Sequence, residues 1–282
     1  MTKKNNVLLQ IISSFFFAIL GMQIKFLSES LSIEGIVFYR CFLGTIFTLL
    51  IIYFKKDSAK LIYTQNMAIQ FLRAFFGTIA MFFGYSALTF IPIAQASVIS
   101  FTKVFFVSLL ASLILKENLN KTILISAIAG FTGILIIVEP NGFDNIYGSA
   151  FAIISSVFVA CGIICSSFLS RKNKTLTIIF YHSFYSTLIC TLFFYSKIPL
   201  LNGNEIISIL LITVTAMIGQ FFNTESYRFG KTSIIVLLGY SRIIFSFVLG
   251  FVFLSEELNS QFFFGVLFIL FSSFLSSKEY KK

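Results

Sequence analysis

Tryptophan is absent from the chain and histidine occurs once, as His182. A lone histidine excludes a metal centre built on two histidines. There is no His-Glu-x-x-His, no Gly-x-Ser-x-Gly and no Walker loop, so the signatures of zinc hydrolases, serine esterases and ATP-hydrolysing machines are all missing. The four cysteines, Cys41, Cys161, Cys165 and Cys190, lie inside apolar runs with no partner pair or histidine at metal-ligand spacing, and read as small packing residues. Charge is scarce too, at 11% of residues. The expectation is a protein that is not an enzyme and carries no cofactor or metal.

What the chain has is apolar length. Of 282 residues 57% are hydrophobic, and the mean hydropathy is +0.95, more than a soluble domain of this size requires. Phenylalanine occurs 39 times beside abundant Ile, Lys and Asn, which fits an AT-rich coding bias and carries no functional weight. Runs of roughly 20 apolar residues, enough to cross a hydrocarbon core of ~30 Å, fall at 7 to 27, 35 to 54, 67 to 90, 92 to 115, 122 to 139, 147 to 170, 175 to 195, 206 to 228, 232 to 254 and 261 to 277. The first follows Lys3 and Lys4 like a signal peptide, but it is too long for an h-region, lacks a small-residue cleavage site and precedes further spans. The fold class expected is therefore all-α integral membrane, with ten transmembrane helices. Polar breaks separate them, as at Lys55-Lys56-Asp57-Ser58, Glu139-Pro140-Asn141-Gly142 and Asn202-Gly203-Asn204, while only Pro92 divides the third run from the fourth.

The net charge of +10 follows topology. With the N-terminus inside, the inner segments collect 15 of the 21 Lys and Arg, from Lys3, Lys4, Lys55, Lys56 and Lys60 through Lys116, Lys121, Arg171, Lys172, Lys174, Arg228 and Lys231 to Lys278, Lys281 and Lys282. The outer side holds Lys197 and Lys25, with Glu29, Glu34, Asp144, Glu205, Glu256 and Glu257. The positive-inside rule thus expects both termini in the cytoplasm. A nucleic-acid partner is not expected, because the positive charge forms no face of a soluble fold.

The halves look like copies. At an offset of 142, Ile11-Ile12-Ser13-Ser14 matches Ile153-Ile154-Ser155-Ser156, Phe38-Tyr39-Arg40 matches Phe180-Tyr181-His182, and Gly77 and Tyr85 match Gly219 and Tyr227. After a three-residue deletion, Lys103 meets Arg242, and Leu115-Lys116-Glu117 meets Leu254-Ser255-Glu256. Five spans is an odd number, so two such copies are expected to be inverted, with one repeat over 1–140 and the other over 141–282.

Phe38-Tyr39-Arg40, Leu72-Arg73-Ala74-Phe75-Phe76-Gly77 and the two Leu-x-Glu helix ends resemble the drug/metabolite transporter superfamily, in its EamA branch of ten-helix bacterial carriers. The pattern is nearest to the S-adenosylmethionine-carrier type. The resemblance implies a carrier of amino acids, purines, S-adenosylmethionine, riboflavin or drugs. One departure stands out: fourteen residues before the marker glutamate many relatives have Glu-Pro, where this chain has Lys103-Val104 and Arg242-Ile243. That counts against a cationic substrate.

Once topology has accounted for the loops, the titratable residues left within spans are Arg40, Arg73, Lys103, His182, Glu225 and Arg242. Each costs some ~2.5–3.5 kcal/mol on insertion scales and needs a reason. Lys103 and Arg242 sit mid-span, about 16 Å from either surface, beyond the reach of snorkelling. Two cations there suit a carboxylate or phosphate, or else pair with a backbone carbonyl or Glu225 and merely hold helices together. Arg40 and His182 are repeat mates toward opposite surfaces, equivalent lips of two half-pathways. His182, with a reference pKa near ~6.5, suits proton coupling or a structural hydrogen bond. Glu225, three residues from Arg228, forms an interfacial ion pair or serves coupling. Arg73 is a pathway residue or an anchor to headgroups, and Tyr85 and Tyr227 contact substrate or belt the interface.

The reading is a secondary transporter of a small anionic or zwitterionic metabolite, an amino acid or a nucleoside- or flavin-like compound, working by alternating access with proton coupling or exchange. Its partners are the lipid bilayer and the substrate, and a homodimer stays open. The rival is a non-transporting membrane scaffold or assembly subunit, in which buried charges only serve packing.

Overall fold

Inside a bilayer no water meets an unpaired N–H or C=O, so an apolar chain crosses it as helix or closed barrel. The computed structural model describes residues 3–55, 62–117, 121–138, 145–228, 230–254 and, from 264 to 275, all but 266 and 273. Apart from a 3₁₀ turn at Tyr195–Lys197, the regular elements among the described residues are α-helices: α1 Lys3–Leu27, α2 Ile33–Tyr53, α3 Met67–Phe90, α4 Ile93–Ser100, α5 Lys103–Ile114, α6 Lys121–Val138, α7 Ile146–Ser170, α8 Thr175–Phe194, α9 Gly203–Ser226, α10 Thr232–Leu238 and α11 Ser241–Leu254, with further helical residues from 264 to 275. Eight stretches are long and apolar enough to span a membrane, α4–α5 and α10–α11 each counting as one. The other two expected runs correspond to α6 and to residues 264–275. The Lys56-Asp57-Ser58 and Glu139-Pro140-Asn141-Gly142 breaks, Lys60, Asp144, the second marker with Glu256 and Glu257, and Lys278, Lys281 and Lys282 lie outside the described residues.

Local chemistry starts the helices where the polar breaks fall. Ser32 Oγ accepts from Gly35 N at 3.3 Å before α2, Asn145 Oδ1 accepts from Gly148 N at 3.1 Å before α7, and Glu205 Oε2 accepts from Asn202 N at 2.8 Å at the start of α9. Each pairs a donor that the first turn leaves over.

The fourth and ninth runs, read from the sequence as continuous helices, are broken in the middle. At Phe101-Thr102 the backbone tightens from i−4 to i−3 bonding, with Phe101 N to Val98 O at 3.0 Å and Val104 N to Phe101 O at 2.9 Å. At Gly239-Tyr240 the same happens, with Tyr240 N to Leu237 O at 3.1 Å and Ile243 N to Tyr240 O at 3.0 Å. A 3₁₀ turn keeps the N–H groups bonded while it changes the helical phase, and such turns mid-helix often mark hinges. The rings of Phe101 and Tyr240 pack on each other at 5.0 Å, in a core cluster that also holds Val104, Ile235 and Ile243.

The longest helix pairings are α3 on α7, α1 on α9 and α2 on α8. Serine hydroxyls stitch two of them, Ser13 Oγ donating to Gly219 O at 2.9 Å and Ser155 Oγ to Ala80 O at 2.8 Å. On α2, Tyr39 donates to the carbonyl of Pro199 at 2.7 Å, in the segment after α8. On α8, Tyr181 donates to the carbonyl of Ile62 at 2.8 Å, in the segment after α2. Side chains such as Leu113, Leu192, Phe193 and Val252 face outward, as a lipid solvent requires.

The α3–α7 contact needs a glycine: a Cβ on Gly84 would lie 2.8 Å from Ser155 Oγ, forcing that hydroxyl off Ala80. Gly84→Ala is expected to destabilise by about 1–3 kcal/mol, read as a lowered unfolding temperature of the detergent-solubilised protein. Adding Ser155→Ala removes the clashing atom and is expected to restore part of the loss.

Candidate functional site: a cationic cavity between the helices

Helical spacing turns single stripes of four helices toward one cavity of about 240 Å³. α1 contributes Gln10, Ser14, Phe17 and Gly21, and α3 contributes Arg73, Gly77, Met81 and Tyr85. α7 adds Ser155, Val159, Gly162 and Ser166, while Gln220 and Asn223 come from α9 with Tyr227 just beyond its end. Arg40 on α2 and His182 on α8 complete the wall. The two broken helices deliver the remaining cations, since Lys103 is the first residue of α5 and Arg242 the second of α11. Steps of three or four residues are what one helix face requires.

Each cation is held by neutral groups. Arg40, buried, donates to the hydroxyl of Tyr85. Arg73, also buried, donates from Nε to Ser166 Oγ at 2.7 Å and from Nη1 to the carbonyl of Ile178 at 3.5 Å. Lys103 Nζ lies 4.3 Å from the centre of the Phe101 ring, and the Arg242 guanidinium 5.7 Å from that of Phe17. Ring faces attract a cation without neutralising it. Lys103 and Arg242 are close enough for their charges to act on each other, and Tyr85 lies within Coulombic range of both Arg40 and Arg242.

His182 lies against Gly77: a Cβ there would sit 2.5 Å from imidazole Cε1, so only glycine admits the ring. Its Nδ1 is buried with no hydrogen-bond partner among the described residues. Arg73 and Arg40 are both within Coulombic range of it.

The structure thus brings Arg40, Arg73, Tyr85, Lys103, His182, Tyr227 and Arg242 to one cavity, and does not bring Glu225 there. Glu225 Oε1 takes a bond from Arg228 Nε at 2.9 Å, and its Oε2 accepts from Thr175. Arg228 also reaches the carbonyl of Asn173 at 3.2 Å, tying the end of α9 to the start of α8. Arg73 faces the cavity from well inside α3, with its guanidinium bonded to α7 and α8.

Sequence reasoning passed over the uncharged lining, Gln10, Ser14, Ser155, Ser166, Gln220 and Asn223. Ser14 and Ser155 stand in the repeated Ile-Ile-Ser-Ser, and otherwise the signal is a helical step of three or four residues, which any polar stripe in a helix bundle shares. It also left Glu117 as a family marker without a task. Lys116 takes a left-handed conformation with φ 53°, and Glu117 N returns to Ala111 O at 3.1 Å, closing α5. That turn sends the Glu117 carboxylate to the start of α10, where Oε1 accepts from Thr232 N at 2.8 Å and Oε2 from Ser233 N at 3.2 Å. Arg171, at the end of α7, adds an ion pair at 3.3 Å. One buried carboxylate therefore joins α5, α7 and α10. Glu117→Ala strands these donors and is expected to cost about 1–3 kcal/mol, measured as earlier thermal unfolding than the parent, whereas Lys121→Ala on an exposed site is expected to leave it unchanged.

Compared with known proteins, the chain matches the EamA-like transporter family twice, over residues 5–139 and 146–278. The Pseudopaline exporter CntI of Pseudomonas aeruginosa is 27% identical over 264 residues, covering 90% of this chain and 89% of its own. An S-adenosylmethionine uptake transporter of Rickettsia prowazekii is 26% identical over 169 residues, 58% of this chain and 55% of that one. A solved crystal structure superposes with a TM-score of 0.76 over 98% of this chain and 96% of that chain, at 14% identity, a likeness of fold alone.

Proposed function

The chain belongs to the EamA-like transporter family, and from that premise we propose that it is an inner-membrane secondary carrier of a small anionic or zwitterionic metabolite. Amino acids and nucleoside- or flavin-like compounds are the classes to test first. The observation that carries the reading is the gathering of Lys103, Arg242, Arg40 and Arg73 in one cavity with no Asp or Glu among its described lining residues. Both α5 and α11 begin at this cavity, and the positive ends of their dipoles add to its field.

The mechanism proposed is alternating access between two inverted five-helix repeats, 1–140 and 141–282, with both termini cytoplasmic. The double family match supports it, as do lining residues that fall at matched positions of the halves: Lys103 with Arg242, Tyr85 with Tyr227, and Arg40 with His182. Two 3₁₀ turns at matched places supply hinges for rocking one half against the other. Drive would come from a proton gradient, with His182 the group to carry the proton, or from exchange.

In proteoliposomes, Lys103→Gln and Arg242→Gln are each expected to slow transport by about ten- to a hundredfold, the loss of a charged hydrogen bond, with insertion intact by size-exclusion profile. Parent-like rates in both variants would remove the cavity from the pathway, and a parent protein that no metabolite stabilises or crosses would favour a scaffold. For coupling, His182→Gln is expected to flatten the dependence of transport rate on pH. A variant profile overlaying the parent would assign His182 to packing.

A further inference from the structure

Three cations outside the cavity pair with carboxylates among the described residues. Arg171 pairs with Glu117 at 3.3 Å, Lys197 with Glu34 at 3.5 Å, and Arg228 with Glu225 at 2.9 Å. The four cations of the cavity have none among the described residues: their partners are a phenol, a serine hydroxyl, a carbonyl and two ring faces. Such groups satisfy hydrogen bonds and leave the charge in place. Four positive charges from α2, α3, α5 and α11 therefore converge on about 240 Å³ with no built-in counter-charge.

A single carboxylate has two oxygens and engages one guanidinium fully, in a fork, or two cations partly. It would leave at least two of the four unanswered in a low-dielectric space, where an unpaired charge is most costly. An ammonium or sulfonium group would meet four cations and no carboxylate.

Resting on the carrier reading, we propose that the substrate bears at least two acidic groups, carboxylate or phosphate, and a net negative charge. One group is taken by Lys103 and Arg242 at the helix breaks, the other by the arginines on α2 and α3. Gln10, Gln220 and Asn223 remain to bond the uncharged middle of the molecule.

The test uses the purified full chain, in thermal unfolding and in proteoliposome uptake, with matched probes: glutarate, citrate and phosphoglycolate against butyrate, glycine, glutaramide and S-adenosylmethionine. The multi-acid probes are expected to half-saturate both readouts at about tenfold lower concentration than the mono-acid ones. The carboxylate and phosphate arms tell which acid is preferred. Arg73→Gln is expected to erase the multi-acid advantage and Arg73→Lys to keep part of it. Arg40→Gln provides the same comparison should Arg73→Gln unfold early. Equal or better response to butyrate, glycine, glutaramide or S-adenosylmethionine overturns the proposal and leaves the carrier reading standing, as does silence of the whole panel while vesicles still take up some solute from a cell extract. Vesicles that move nothing from that extract overturn the carrier reading itself.

Discussion

A helix in hydrocarbon has no water to repair an interruption, so the two breaks within apolar runs are the constraint around which this molecule is arranged. Both are resolved the same way, by i−3 bonds that keep the N–H groups of Phe101, Val104, Tyr240 and Ile243 satisfied. The changed phase puts Phe101 against Tyr240 and delivers Lys103 and Arg242, the residues just past each break, to the cavity wall. Broken helices and central charge are one solution, since a charge at that depth is tolerable only where it faces a polar interior.

Charge is treated differently at the ends of the bundle and at its centre. At one end Glu117 gathers the start of α10 and Arg171, and Glu225 gathers Arg228 and Thr175. Glu117 answers helix-start N–H groups and an arginine, and Glu225 a helix-start hydroxyl and an arginine, so they hold α5, α7 and α10, and α8 and α9, in register. At the centre the partners among the described residues are neutral, and positional freedom is given up instead: the imidazole of His182 is seated by the missing side chain of Gly77, and Arg73 is pinned by Ser166. Cations held this way, without counter-charge among the described residues, fit the anionic substrate proposed.

Much of this was legible beforehand because the bilayer leaves few choices. An apolar run of membrane length has to be helix, so most helix positions could be read within a few residues, and charged residues inside such runs are rare enough that Arg40, Arg73, Lys103, His182 and Arg242 stood out at once. Less was legible for neutral groups. Ser14 Oγ bonds the Gln10 carbonyl in its own helix at 2.9 Å and Ser166 Oγ that of Gly162 at 2.8 Å, as serines in any membrane helix can, so nothing marks them as lining. Nor did Phe101-Thr102 advertise a break, having neither proline nor glycine, although Gly239 at the matched place could have raised the question. Tyr39 and Tyr181 belong to a repeated tripeptide, but their carbonyl partners lie more than a hundred residues away.

By itself the sequence determined that the chain is helical, membrane-spanning and carries a small set of internal charges, because transfer energies act on each segment alone and need no knowledge of its neighbours. Tertiary structure decided which of those charges share a space. Arg73 could have snorkelled to headgroups and Glu225 could have met Lys103, and both outcomes were compatible with their positions along the helices. The packing of α3 on α7 turned Arg73 inward, and that of α9 on α8 added Thr175 to the local pair of Glu225 with Arg228, away from the cavity. Pairing is a property of which helix faces meet, and that is settled only when the bundle closes.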